Sequence, residues 1–115
     1  MTPEEFVKGV YLEKKSLIDM YFNPKSKSDV SNLISTLHLN SEQTEALGQI
    51  LNGALRDAFY SILLGLDGEA NIGGWQELFK ISDQGGNELS GGMIAVFAWE
   101  YFHNNKFEKD NQSKH

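Results

Sequence analysis

The chain has 115 residues, a formal net charge of −6 at pH 7 and no cysteine. This length suits one domain that buries enough surface to hold a core, and the lack of cysteine excludes disulfides and thiolate metal sites. The acidic balance argues against nucleic acid as a partner, because binding phosphate requires lysine and arginine. No apolar run is long enough to span a bilayer, and the acidic start over residues 1–5 does not resemble a secretory signal. We therefore expect a cytoplasmic protein that does not bind a membrane.

Two helices are predicted in the first forty residues. The first has Thr2 as its cap, Pro3 in its first position and Glu5 where a capping box requires it, and it ends before Pro24. The second begins at Ser28 or one residue later. Its apolar side chains share one face at helical spacing; they are Val30, Leu33, Ile34 and Leu37.

The third helix is predicted over residues 41–64. Asn40 or Ser41 caps it, and apolar residues keep helical spacing for about five turns. Gly65 and Gly68 end it. Because its apolar stripe is so wide, we expect this helix to be the central element of the fold.

A glycine-rich loop and a β-hairpin are predicted to follow. Residues 65–74 contain four glycines, which indicates a loop with unusual backbone angles. A strand over residues 75–83, a turn at residues 84–87 and a short return strand at Glu88-Leu89 form the hairpin.

The last predicted helix covers residues 91–104, with Ser90 as its cap. It is apolar almost all round, which is typical of a helix that is buried or has a second face covered. Residues 106–115 contain one aromatic and many charges, so they predict a disordered charged tail. The predicted fold is mainly α: a four-helix bundle with a small β-hairpin before the last helix, in a single helical domain over residues 1–105.

No catalytic set is apparent in the sequence, and we expect no enzyme activity, no cofactor and no metal. The histidines stand beside no candidate nucleophile and form no pair at metal-ligand spacing. Asp67, Glu69 and Asn71 resemble the first ligands of a calcium loop. The glycine that such a loop needs at its sixth position is Ile72 here, which argues against calcium.

Two side chains are open to two interpretations. Arg56, the chain's single arginine, is either a surface residue paired along its helix or a residue that folds over the glycine-rich loop and holds its carboxylates. Trp75 either fills the core or serves as an anchor in a protein–protein interface.

The acidic charge is concentrated in residues 41–104, where nine acidic side chains occur with two basic ones. A field of one sign steers a partner of the opposite sign, so this half predicts a binding surface for a basic protein. An acidic surface that only aids solubility is the alternative. The predicted partner-binding residues are Asp57, Asp67, Glu69, Trp75, Glu77, Asp83 and Glu88.

The stretch from Arg56 to Gly74, continuing through Phe79-Lys-Ile-Ser-Asp83 to Trp99-Glu-Tyr-Phe-His103, resembles small acidic bacterial proteins. Some of these are similar to immunity proteins of polymorphic toxin and contact-dependent growth inhibition systems. The resemblance covers residues 40–104 and lies in size and charge. It implies a cytoplasmic protein that binds a toxin domain and blocks its active site. An acidic surface would compete for the basic groove of a nuclease-type toxin.

Two other functions remain open. One is a small-ligand-binding or accessory protein with a pocket under the glycine-rich loop 65–74. The other is a homodimer joined through the apolar last helix. The salt dependence of association distinguishes toxin binding from these two functions, because a charge-steered complex associates more slowly as ionic strength rises, whereas an apolar dimer does not.

Overall fold

The computed structural model describes residues 1–108, and this part of the chain is mainly helical. Its helices are α1 (Pro3–Tyr21), α2 (Asp29–Thr36), α3 (Ser41–Leu66) and α4 (Met93–Phe102), and a further helical turn begins at Lys106. The prediction of a mainly α fold is thus confirmed. Within the described residues, no helix combines the length and the apolar character that crossing a membrane requires.

The first three helices begin where the capping patterns predicted. The Thr2 hydroxyl accepts a hydrogen bond from the Glu5 N–H, and the Glu5 carboxylate accepts one from the Thr2 N–H, which completes a capping box. Asn40 and Gln43 form the same motif at the start of α3, and Ser28 caps α2. Such caps satisfy backbone donors that the first helical turn leaves free, so they fix these starts locally.

The start of α4 differs from the prediction, because Ser90 does not cap it. The helix begins at Met93, and its N-cap is Gly92, which has φ 117° and no side chain to accept a hydrogen bond. Asp67, at the end of α3, supplies the missing acceptors. Its Oδ1 accepts from the N–H groups of Gly91 and Gly92 at 2.7 and 2.8 Å, and its Oδ2 accepts from Ala95 at 2.8 Å. One carboxylate therefore joins the end of α3 to the start of α4.

The core lies where α1, α4 and the C-terminal part of α3 meet. α4 rather than α3 is its main contributor, since half of the buried apolar residues belong to α4 and only one to α3. The N-terminal half of α3 leaves its stripe open, and Ile50 there is 64% exposed. The prediction that α3 is central is therefore wrong. The core residues are Val7, Tyr11, Leu63, Leu89, Ile94, Ala98, Tyr101 and Phe102.

No strand forms among residues 1–108, so the predicted β-hairpin is wrong. The chain does reverse direction between Asp83 and Asn87, but a single isolated antiparallel bridge joins Ser82 to Glu88. The N–H of Leu89 donates to the carbonyl of Ile81 at 2.7 Å, and the buried Leu89 side chain fixes this turn to the core. A pair of segments this short makes too few ladder bonds to be stable as a sheet.

Residues 106–108 fall within the predicted disordered tail, and the structure instead places them against α1. The Lys106 ammonium bridges the carboxylates of Glu4 and Glu100 at 2.8 and 3.1 Å. The Phe107 ring lies 5.6 Å from the Tyr11 ring, measured between centroids. The rest of the tail prediction, residues 109–115, lies outside the described residues.

We expect Phe107→Ala to lower the free energy of unfolding by about 1–2 kcal/mol, because a half-buried ring loses its contacts with α1. Trp75→Ala removes an aromatic side chain that is 72% exposed, and it should change stability by less than about 0.5 kcal/mol. Urea unfolding followed by circular dichroism measures both. Equal, small effects would show that residue 107 does not dock on α1 in solution.

Candidate functional site

Residues 69–80, which we call the exposed loop, form the first half of the connection between α3 and α4. Gly73 and Gly74 both have positive φ, 58° and 88°, a conformation that side chains with a Cβ rarely adopt. The tight turn they form is closed by two hydrogen bonds of 2.9 Å between the backbones of Ile72 and Trp75. This turn fixes the backbone of Trp75 at the surface.

The underside of the exposed loop packs directly against the end of α3. A Cβ at Gly68 would lie 2.7 Å from Cδ2 of Leu78, and a Cβ at Gly65 would overlap the Ile72 side chain. The Gln76 side chain donates to the carbonyl of Gly68 at 3.3 Å. The half-buried Ile72 side chain thus occupies space next to Gly65 that a ligand pocket under the glycine-rich loop would need.

Large apolar side chains on the exposed loop point into solvent. Trp75 is 72% exposed, Leu78 is 85% exposed and Phe79 is 41% exposed. The core interpretation of Trp75 is therefore wrong. Adjoining exposed apolar residues of this size are typical of protein–protein contact sites.

The carboxylates next to these apolar residues are unpaired. Within residues 1–108, Glu69, Glu77 and Glu88 accept no hydrogen bond and take part in no ion pair, and all three are exposed. Lys80 is the single cation of the exposed loop. This surface therefore combines an aromatic residue with negative charges that no group of the described chain neutralises.

Two of the predicted partner-binding carboxylates have structural roles instead. Asp67 is only 7% exposed and holds the start of α4. Asp83 accepts a hydrogen bond from the N-terminal ammonium of Met1 at 2.7 Å and binds the side chain and N–H of Asn87. The ammonium, followed by Asn87, holds the pKa of the Asp83 carboxyl well below its usual range. Neither group is free to bind a partner.

The remaining predicted residues divide between two places. Glu69, Trp75 and Glu77 lie together on the exposed loop, and Glu88 follows it beyond the turn. Asp57 lies on α3, with its side chain 73% exposed, and pairs only with its neighbour Arg56 at 3.4 Å. The structure agrees better with the interpretation of Arg56 as a surface residue paired along its helix, because Arg56 does not reach the loop carboxylates in the described structure.

Sequence reasoning missed two groups of exposed apolar residues. The sequence analysis predicts Leu78 and Phe79 within a strand. Two adjacent apolar residues break the alternation that a half-buried strand requires, and this break argues against the strand. The second group is the outer face of α4, whose members are spaced three residues apart and are each about half exposed: Met93, Val96 and Trp99.

The described residues include no group of three or more histidine, aspartate or glutamate side chains placed to hold a metal ion. The His103 ring instead contacts the Tyr60 ring edge-on, with centroids 4.4 Å apart.

No protein-family model, no curated protein and no solved structure matches this chain.

Proposed function

We propose that the protein is an immunity protein, which binds a cognate toxin domain in the cytoplasm and neutralises it through the exposed loop. The observation that carries the proposal is a single loop on which three large apolar side chains and two unpaired carboxylates are exposed: Trp75, Leu78, Phe79, Glu69 and Glu77. Interfaces commonly have this composition, in which a few aromatic anchors supply most of the binding energy and a polar rim surrounds them.

The charge of the exposed loop suits a basic partner. Because Glu69 and Glu77 bind no other described group, a partner's lysine or arginine need not displace an existing contact to reach them. Complementary charge mainly accelerates association and excludes wrong partners. A nuclease-type toxin carries a basic groove for nucleic acid, so this surface would bind the groove and exclude its substrate. In this proposal the protein acts by stoichiometric binding and catalyses no reaction.

The backbone of the exposed loop supports a preformed anchor. The Ile72–Trp75 turn is closed by hydrogen bonds in both directions, and the loop is packed against the end of α3 through Ile72. A loop that is ordered before binding loses less conformational entropy on association, which favours affinity.

The decisive test first identifies a toxin domain among the products of the neighbouring genes and then measures its binding to the Trp75→Ala variant; the lack of any such domain would itself contradict the proposal. Removing an interface anchor should weaken binding by about 2 kcal/mol or more, which is roughly thirtyfold. The melting temperature should remain unchanged, because the side chain is exposed. Isothermal titration calorimetry and thermal unfolding give the two values. Unchanged affinity with an intact fold would contradict the proposal.

Charge reversal tests the electrostatic part of the same proposal. Glu69→Lys and Glu77→Lys should each slow association and reduce its dependence on salt. Glu13→Lys is a matched control, because it makes the same change of charge at an exposed site on α1. If the control slows association as much as the loop variants, net charge alone is responsible and the exposed loop is not the binding site.

A homodimer through α4 is a second candidate function, favoured by the half-exposed outer face of Met93, Val96 and Trp99. Such an apolar dimer would be insensitive to salt. Sedimentation at low and high ionic strength, with Trp99→Glu as the disrupting variant, separates it from the charge-steered complex.

A further inference from the structure

A cavity of about 520 Å³ lies between α1, α3 and the segment that follows α4, well apart in sequence from the exposed loop. Its volume falls within the range of small-molecule sites in proteins. Tyr11 and Phe102 form an aromatic wall with their rings edge to face, centroids 5.5 Å apart. The other side chains that matter here are Lys14, Lys15, Arg56 and Glu108.

The charge of this cavity is opposite to that of the chain. Among residues 1–108, three cations and one carboxylate line it, in a protein whose net charge is −6. Lys15 is neutralised by Glu108, with the ammonium 3.0 Å from the carboxylate. Arg56 has only Asp57, at 3.4 Å, and Asp57 does not line the cavity. The lining side chains therefore carry a net charge of +2, and among the described residues Lys14 is the lining cation with no carboxylate partner.

Lys14 is the least expected of these groups, because it is only 5% exposed. Its Nζ lies 5.4 and 5.7 Å from the ring centroids of Tyr11 and Phe102, and among residues 1–108 it makes no hydrogen bond or ion pair. Burial, followed by the positive charge of Arg56, lowers the pKa of Lys14. A buried cation beside a second cation is unfavourable unless an anion joins them.

We propose that this cavity binds a small anion with two negative charges, a phosphate group or a dicarboxylate, held between Lys14 and Arg56. The planar guanidinium of arginine matches two oxygens of such a group at once, and the lysine ammonium adds a point charge. The rings of Tyr11 and Phe102 provide an apolar wall for the rest of an organic ligand. This binding is separate from the toxin binding proposed above.

Glu108 acts as an internal competitor for the same positive charge. Its two carboxylate oxygens each lie 2.6 Å from the Tyr11 hydroxyl, whose one hydrogen is shared between them, and Lys15 donates to one of the two oxygens. The short segment after α4 thereby places a negative charge at the edge of the cavity. Removing this charge should strengthen binding of an external anion.

The experiment is a titration of the full chain with inorganic phosphate and, separately, with malonate, at constant ionic strength. Two-dimensional NMR should show saturable shifts of the Lys14 and Arg56 amides. Lys14→Met and Arg56→Gln should each weaken binding at least about tenfold, because each removes a charge-assisted hydrogen bond. Glu108→Gln should strengthen it several-fold. Saturation by one of the two anions alone identifies the charged group of the ligand.

Lys80→Met is the matched control, since it removes an exposed cation that does not line the cavity, and it should leave the affinity unchanged. An equal loss in Lys80→Met, or no saturable shift with either anion, overturns the proposal. If Lys14→Met does not fold, Arg56→Gln decides the matter, because the Arg56 side chain is 40% exposed. Glu69→Lys should leave anion binding intact, so a failure of this site is distinguishable from a failure of toxin binding.

Discussion

Asp67→Ala should destabilise the protein by about 3 kcal/mol or more, because three backbone N–H groups at the start of α4 lose a charged acceptor and each such bond contributes roughly 1.5–3 kcal/mol. The carboxylate is 7% exposed, so water cannot replace it without opening the junction between α3 and α4. Chemical denaturation followed by circular dichroism measures the loss.

Asp57→Ala is the matched control for this prediction. It removes an exposed aspartate from the same helix, and it should change stability by no more than about 0.5 kcal/mol. Asp67→Asn should be intermediate, because one amide oxygen still accepts hydrogen bonds from the helix start. If Asp67→Ala and Asp57→Ala have equal effects, the start of α4 does not depend on residue 67.

Ile94→Ala should be comparably damaging, with a loss of about 2–5 kcal/mol, because truncating a fully buried side chain removes its contacts and leaves a cavity. Ile94 is 0% exposed, and Ile50 on α3 is 64% exposed. Ile50→Ala makes the same truncation and should cost less than about 1 kcal/mol. The same denaturation experiment compares them, and a larger loss at Ile50 would show that α3 is the central helix after all.

The helix starts could be predicted from sequence because their causes are local. Thr2 and Glu5 are three residues apart, and so are Asn40 and Gln43, which places each cap within a pattern that the sequence displays. The central helix could not be predicted in this way. Periodicity shows that α3 has an apolar stripe, but it does not show that the N-terminal part of this stripe stays uncovered, as at Ile50.

The sequence predicts that an aromatic residue and several carboxylates share the candidate site, but it does not predict which of these carboxylates are already bound within the protein. Glu69, Trp75 and Glu77 are exposed as a binding surface requires, because the glycine-rich stretch before and between them forms a loop. Asp67 and Asp83 are engaged by groups 24 and 82 residues away in the chain. No local pattern reveals such distant partners. For the same reason, the sequence does not predict that Lys14 and Arg56 line one cavity.

The Asp67 carboxylate also bears on how freely the sequence of the exposed loop can vary. Its Oδ1 accepts hydrogen bonds from the N–H groups of residues 91 and 92 and so joins the two ends of the connection between α3 and α4. This contact does not involve the residues that lie between those two ends. Closing a longer loop costs only about 0.6 kcal/mol for each doubling of its length. The residues between Gly68 and Ile81 contribute no side chain to the buried core, so we expect insertions, deletions and new side chains to be tolerated there, except at Ile72, which packs against Gly65. Under the proposed function, the exposed loop could therefore change in evolution together with its toxin, while the helical scaffold stays the same.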